Sequence, residues 1–304
     1  MTRPVRVGLV GCGRLAERGY VPALAQTDSV SLVAVADLDA ARCAVIAPGV
    51  PTYTTAGDLL ASADVELLIL AHAASAHAAD ACAAAAAGVA SLVEKPPART
   101  AAEAEPLVGL EPAAWMGFNR RFEPAIATMR ARFAVAPPAE LELELSILPS
   151  SWAAFGGSEG ALLDLGTHVV DLALWLTGRD PLRLRVQRAT ERDAAFDLDL
   201  GDTRACVRVS HGRAWREHVV ARDAGGRALA RLERGGLARR AAARVRAGRS
   251  GPLVGSLAAQ LAAAATAVRG GPVDSRLASA AEGVAVLAVL DAVAAAEGSG
   301  WVEL

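Results

Sequence analysis

Two rhythms of apolar and polar positions divide the chain. Before residue 120, short apolar runs alternate with stretches that repeat at helical spacing. The runs are Val5 to Val10, Ser31 to Ala36, Val65 to Ala71, Ala90 to Val93 and Trp115 to Phe118. Continuous apolar character marks strands buried on both faces. Helices are predicted between them, near Arg14 to Ala25, Asp39 to Ile46, Thr55 to Ala61 and Ala76 to Ala87, the last stopped by Gly88. Thr100 with Glu103 three residues on has the form of a capping box before a further helix. Strands alternating with helices predict an α/β unit of Rossmann type, a doubly wound parallel sheet covered on both faces.

After residue 120 the period becomes two. Glu140 to Ile147 alternates Glu and Leu, as a strand with one wet face does. Leu182 to Ala189, Phe196 to Leu200, Arg204 to His211 and Glu217 to Asp223 read the same way, joined by turn residues such as Gly201-Asp202 and Gly225-Gly226. They predict an α+β domain with a mostly antiparallel sheet. A helix from Asp164 to Leu176 precedes most of that sheet, and helices near Leu257 to Val268 and Arg276 to Ala296 follow it. The basic stretch Arg227 to Arg249 reads as a solvated face. The expected division is residues 1–120 and 121–304.

Length agrees with two domains, since 304 residues exceed one ordinary core. The formal net charge of −2 carries no basic surplus, so a nucleic-acid partner is not expected. Alanine inflates the apolar fraction. Ala81 to Ala87 and Gly283 to Ala296 are too short to span a bilayer, so no membrane partner is expected. Met1 runs into a strand pattern with no ordered export signal, and a cytoplasmic location is expected. Cys12, Cys43, Cys82 and Cys206 form no C-x-x-C pair, and the histidines form no H-E-x-x-H motif, so no metal site is expected.

One count is sharper. Of 31 basic residues, Lys95 is the only lysine. Arginine serves for surface charge but does not lose a proton in a protein, whereas lysine does. A solitary lysine is either a chance survivor or a group whose chemistry arginine cannot replace, and its surroundings decide. Lys95 lies in Glu94-Lys95-Pro96 at the end of a predicted parallel strand. Strand carboxyl ends are where open α/β sheets bind ligands.

Gly11-Cys12-Gly13-Arg14-Leu15-Ala16 follows the first strand and opens a helix. Gly11 permits a tight turn, Gly13 a close approach of backbone to a diphosphate, and Ala16 a close helix–sheet packing. Asp37 ends the second strand, 26 positions after Gly11. A carboxylate there bonds ribose hydroxyls and repels a 2′-phosphate, which favours NAD over NADP. The plain alternative is a structural turn with a solvent-facing Asp; the strand–turn–helix context favours the cofactor. Asp164, His168 and Asp171 share one helical face. An Asp beside a His orients the imidazole for proton transfer. Taken alone, the same residues also fit a capping Asp and a satisfied core His.

Together these motifs resemble the glucose–fructose oxidoreductase / inositol dehydrogenase / MocA family over almost the whole chain. The resemblance runs through Gly11-Cys-Gly-Arg, His77, Glu94-Lys95-Pro96, Gly117-Phe-Asn-Arg-Arg-Phe-Glu-Pro124, Gly160-Ala-Leu-Leu-Asp-Leu-Gly-Thr-His168-Val-Val-Asp171 and Gly300-Trp-Val-Glu-Leu. It implies a dinucleotide-binding first domain and a second domain for substrate binding and oligomerisation. It implies hydride transfer between nicotinamide and a secondary alcohol or ketone of a sugar, cyclitol or related polar small molecule. Lys95 would bond the reacting oxygen, His168 would be the general acid/base, and Asp164 would orient or bind substrate. Gly11, Cys12, Gly13, Arg14, Leu15, Asp37, Ala71, His72, His77, Glu94, Lys95, Asn119 and Arg120 would line the cofactor. A homodimer or homotetramer formed through the second sheet is implied as well. Reduction of a C=N or unsaturated substrate, and a non-catalytic dinucleotide-binding regulator, are the other readings on this scaffold. The chain departs from the family in being short, with the loss in the second domain. It also has Ala71-His72-Ala73-Ala74-Ser75 where Thr-Pro or Pro-Asn is usual, and Val93 for a frequent Cys.

Overall fold

The computed structural model describes residues 3–148, 159–235, 251–296, 298 and 300–304. The early strands are β1 (Val5–Val10), β2 (Val30–Ala36), β3 (Thr52–Tyr53), β4 (Leu67–Leu70), β5 (Ala90–Val93) and β6 (Ala114–Met116). Later come β7 (Glu140–Ser146), β8 (Arg183–Ala189), β9 (Asp193–Asp199), β10 (Arg204–Ser210), β11 (Arg216–Arg222), β12 (Ala228–Gly235), β13 (Ala278–Ser279) and β14 (Trp301–Glu303). The α-helices are α1 (Val21–Leu24), α2 (Ala40–Ile46), α3 (Ala56–Ser62), α4 (Ala74–Ala86), α5 (Ala101–Ala104), α6 (Pro124–Phe133), α7 (Ala161–Thr177), α8 (Pro252–Val268) and α9 (Ala280–Ala295).

Two compact units result. The first comprises Met1–Phe122 and Ser250–Val284, the second Glu123–Arg249 and Ala285–Leu304. The chain leaves the first unit near the expected change of rhythm, but it also returns to it. Residues 251–284, expected in the second domain, therefore pack with the first. Their apolar face explains this: Leu257, Leu261 and Ala264 of α8 join one buried cluster with Val7, Leu9, Tyr20 and Leu24.

The first sheet has the order β13-β6-β5-β4-β1-β2-β3, parallel except for the β13–β6 pair. All four residues of β4 and of β5 are buried, as continuous apolar runs require. The strand order reverses between β1 and β4. That reversal is the switch point at which doubly wound sheets open a ligand crevice. Gly11, Asp37, Ala71, Glu94 and Gly117 all follow the carboxyl ends of their strands.

The predicted helix after the glycine turn is helical over residues 14–24, and its Ala16–Tyr20 stretch is a π-helix. Thr55 caps α3 by accepting the Asp58 N–H at 3.1 Å. Thr100 accepts the Glu103 N–H at 3.3 Å, but the Glu103 carboxylate bonds the Arg99 N–H and guanidinium, so the predicted box is closed on one side by Arg99.

The second sheet has the order β12-β11-β7-β10-β9-β8-β14. Its pairs are antiparallel except β7–β10, which is parallel. Leu141, Leu143 and Leu145 are buried, while Glu140, Glu142 and Glu144 between them are half-buried. α7 packs against β7, β9 and β10, α6 packs against α7, and Leu290 of α9 abuts Gly166. The basic stretch expected as a solvated face is in part a strand: β12 pairs with β11 along its length. Residues 236–249 of that stretch lie outside the described residues.

Candidate active site

In the first unit the site is built around the end of β1. Gly11 has φ +95°, and a Cβ there would lie 2.6 Å from the Ala71 carbonyl carbon and oxygen and 2.7 Å from the His72 nitrogen. Only glycine fits that conformation and that approach. The Gly11 N–H donates to the Ala36 carbonyl at 2.8 Å, tying the turn to the end of β2. The Cys12 N–H then donates to Asp37 Oδ2 at 2.7 Å, and the Asp39 N–H to Asp37 Oδ1 at 2.9 Å. Two backbone amides thus fix the carboxylate. Each of its oxygens accepts more than one hydrogen bond, so capacity for a hydroxyl donor is left. Arg42 of α2 donates to the Cys12 carbonyl at 2.7 Å. Beside Gly13 a Cβ would meet Arg42 Nη2 at 3.7 Å, an ordinary contact, so that face is open.

Cys12 and Cys43 lie under the turn with sulfurs 3.4 Å apart. Burial, the leading cause for each, pushes both thiols up, which keeps them protonated and makes them packing residues. Leu15 is half-buried and packs on the core, while Arg14 is half-exposed at the helix start.

The loops after β4 and β5 meet at two imidazoles. His72 Nε2 is 2.8 Å from Asp80 Oδ2, and His77 Nδ1 is 3.0 Å from the Pro96 carbonyl oxygen. The two rings stand edge-on with centroids 5.1 Å apart. Burial, reinforced by His72, lowers the His77 pKa to about 4, so its ring is neutral and Nδ1–H is the donor to Pro96. His72 stands where the family usually has a Thr-Pro or Pro-Asn loop. Lys95 is half-exposed, one residue before that carbonyl. Asn119 is buried and donates to Ser256 Oγ at 2.8 Å, and Arg120 after it is half-exposed.

In the second unit α7 carries Asp164, His168 and Asp171. Asp171 is buried, whereas Asp164 and His168 are half-exposed. The spacing suggested Asp164 as a partner for His168. The structure places Asp164 Oδ2 3.0 Å from Nε2 of His211, immediately after β10. The His211 N–H is itself tied to the Arg192 carbonyl at 2.8 Å. His211 was missed from sequence, since it is a lone histidine after a strand, 47 residues from its partner. Asp164 and His211 together make a carboxylate–imidazole pair one helical turn from His168. Such an arrangement can bind a hydroxyl and pass a proton.

Among the described residues, no group of three His, Cys, Asp or Glu is placed to hold a metal ion. No helix among them is long and apolar enough to cross a membrane.

Residues 5–114 match the oxidoreductase family described as an NAD-binding Rossmann fold, and residues 124–251 match the GFO/IDH/MocA C-terminal domain. The rhizopine catabolism protein MocA of Rhizobium meliloti is 34% identical over 61% of this chain and 61% of its own length. An inositol 2-dehydrogenase of Acidothermus cellulolyticus is 31% identical over 66% of this chain and 61% of its own. The chain thus spans about three fifths of the length of these curated relatives. The crystal structure of myo-inositol 2-dehydrogenase from Lactobacillus plantarum superposes with a TM-score of 0.79, covering 96% of each chain at 16% identity, which establishes a shared fold. The two family models, taken with the glycine turn, Asp37 and the loop carrying Lys95, place this chain in the glucose–fructose oxidoreductase / inositol dehydrogenase / MocA family of NAD-binding oxidoreductases.

Proposed function

We propose that the chain is an NAD-dependent dehydrogenase that moves a hydride between nicotinamide and a secondary carbinol of a cyclitol or similar polyol. The observation that carries the reading is the only lysine, set at the carboxyl end of β5 in a sheet whose switch point carries the glycine turn and Asp37. The turn fits a dinucleotide. Gly13 leaves an open face for a diphosphate, and Asp37 is fixed by two backbone amides with acceptor capacity to spare for ribose hydroxyls. Gly11, Cys12, Gly13, Arg14 and Leu15 would hold the diphosphate side, with Ala71 and His72 nearer the nicotinamide. Bound there, NAD supplies the hydride acceptor or donor.

The chain's own groups do the remaining work. The Lys95 ammonium donates a hydrogen bond to the carbinol oxygen and stabilises the negative charge that grows on it. His168 takes the hydroxyl proton as the C–H bond gives up its hydride, and returns a proton in the reverse direction. Asp164, paired with His211, binds and orients the polyol. The curated inositol 2-dehydrogenase at 31% identity supports a cyclitol substrate. The reading includes a cytoplasmic homodimer or homotetramer, as the family resemblance implies.

The test is a fluorescence titration with NADH and with NADPH, followed by turnover with NAD+ and myo-inositol. NADH should bind at least about tenfold more tightly, because the carboxylate at Asp37 repels a 2′-phosphate. Tighter NADPH binding would overturn the reading of Asp37. Binding of neither would overturn the dehydrogenase assignment.

A further inference from the structure

The family resemblance implies that Glu94 lines the cofactor, but both oxygens of its carboxylate already have partners within the protein. Glu94 is 6% exposed. Its Oε1 accepts the Tyr20 hydroxyl at 2.6 Å, and its Oε2 accepts the backbone N–H of Lys95 at 3.1 Å. The first distance is that of a charge-assisted O–H···O bond. Tyr20 is fully buried and is the last residue of the π-helical stretch in the helix that leaves the glycine turn. A π-stretch inserts a residue into the helical register, and such insertions cluster at functional positions. On the other side, a Cβ on Gly117 would lie 2.9 Å from Glu94 Cα and 3.0 Å from its carboxyl carbon. The carboxylate is therefore clasped between the helix of the glycine turn and the chain after β6.

We propose that Tyr20 and Glu94 are positioning residues for Lys95: the Tyr20 hydroxyl fixes the Glu94 carboxylate, which holds the Lys95 backbone N–H and so sets where the ammonium group is presented. The proposal rests on the role given to Lys95 above. It ties the helix that would carry the diphosphate to the lysine that would meet the substrate, within one unit. Glu94 then acts through Lys95 instead of by touching the dinucleotide.

The phenol is needed for a physical reason. Burial pushes the Glu94 carboxyl above the ordinary carboxylate range, while the Tyr20 hydroxyl and the Lys95 charge hold it down. Without the hydroxyl, one buried oxygen loses its donor, and protonation of Glu94 becomes easier. The protonated acid then competes for the position of the Lys95 N–H.

Because the chain contains one lysine, protein labelled with [15N]lysine gives a single backbone amide signal. That signal is measured in the full chain with and without NADH, for wild type and for Tyr20→Phe, Glu94→Gln and Glu94→Ala. In Tyr20→Phe and Glu94→Ala the Lys95 amide should shift and exchange with solvent about tenfold or more faster, as loss of a buried hydrogen bond requires. In Tyr20→Phe the amide shift should also titrate at higher pH than in wild type.

Glu94→Gln offers its carbonyl to Lys95 and its amide N–H to the phenol oxygen. It should restore the protection and abolish the titration. NADH affinity of Tyr20→Phe should stay within about twofold, while kcat with NAD+ and myo-inositol falls about tenfold at unchanged KM for NAD+. An unshifted, equally protected Lys95 amide in Tyr20→Phe and Glu94→Ala would overturn the proposal. If Tyr20→Phe fails to fold, Glu94→Gln decides, and a Lys95 amide that still titrates as in wild type overturns it. The amide readout needs no turnover. A wild type inactive on polyols but with this coupling intact would sink the dehydrogenase reading and leave the positioning in place.

Discussion

At the scale of the residue, Lys95 is the position where sequence and geometry meet most directly. Thirty arginines cover the chain's other basic needs, so the one lysine marks a requirement that a guanidinium does not satisfy. Lys95→Arg keeps the charge but changes its shape, hydration and proton exchange. It should lower kcat about a hundredfold or more with NADH affinity nearly unchanged. Steady-state rates and a binding titration on the same sample check this, and near-normal turnover would remove the argument for a lysine.

His77 carries a separate prediction. It takes up a proton only near pH 4 in the folded chain, against 6.5 ordinarily. Between those values the unfolded chain binds the extra proton, so the native state loses stability as the pH falls through that window. The loss approaches about 3 kcal/mol at pH 4, at roughly 1.4 kcal/mol per pH unit of difference. Urea midpoints measured from pH 7 to pH 4 should show a decline that is shallower in His77→Gln. An equal decline in both proteins would assign the effect to other groups.

At the scale of the element, the turn after β1 and the helix α8 are the parts that shape the first unit. Legibility was uneven here for definite reasons. β4 and β5 are readable because strands buried along their whole length are almost wholly apolar, and β1 and β2 because most of their residues are apolar too. β3 has two residues and β13 has two, too short for any period to register. β12, with the sequence ALARLERG, hides its alternation among arginines and reads from sequence as a solvated face. The π-stretch at Ala16–Tyr20 leaves no mark on helical spacing that a single sequence reveals. α8 is legible as a helix, but the sequence does not say which unit it joins, because periodicity reports that an apolar face exists and not what it meets. Leu257 tests the assignment. It is fully buried, and a Cβ added at Gly19 would lie 2.8 Å from its Cδ1. Leu257→Ala should cost the first unit about 2–4 kcal/mol by transfer and cavity terms. Unfolding monitored by bound NADH should register that loss, and an unchanged midpoint would separate α8 from the first unit.

At the scale of the whole molecule, the parallel sheet, the mostly antiparallel sheet and the motif positions were legible. The pairings that join distant parts of the chain were not. Tyr20 meets Glu94 across 74 residues, and Asp164 meets His211 across 47. No local pattern links residues so far apart. The same limit concealed the return of Ser250–Val284 to the first unit.

That return has a consequence for synthesis on the ribosome. The first unit begins to emerge first, yet its core is not closed until α8 has been made. Translation from Phe122 to Val268, the end of α8, takes on the order of 7–30 s at roughly 5–20 residues per second. Throughout that interval Tyr20 and Leu24, on the helical stretch that packs against α8, lack that native cover. The nascent chain therefore exposes an apolar face, of the kind that holdase chaperones bind, while every strand of the second sheet except β14 is being made.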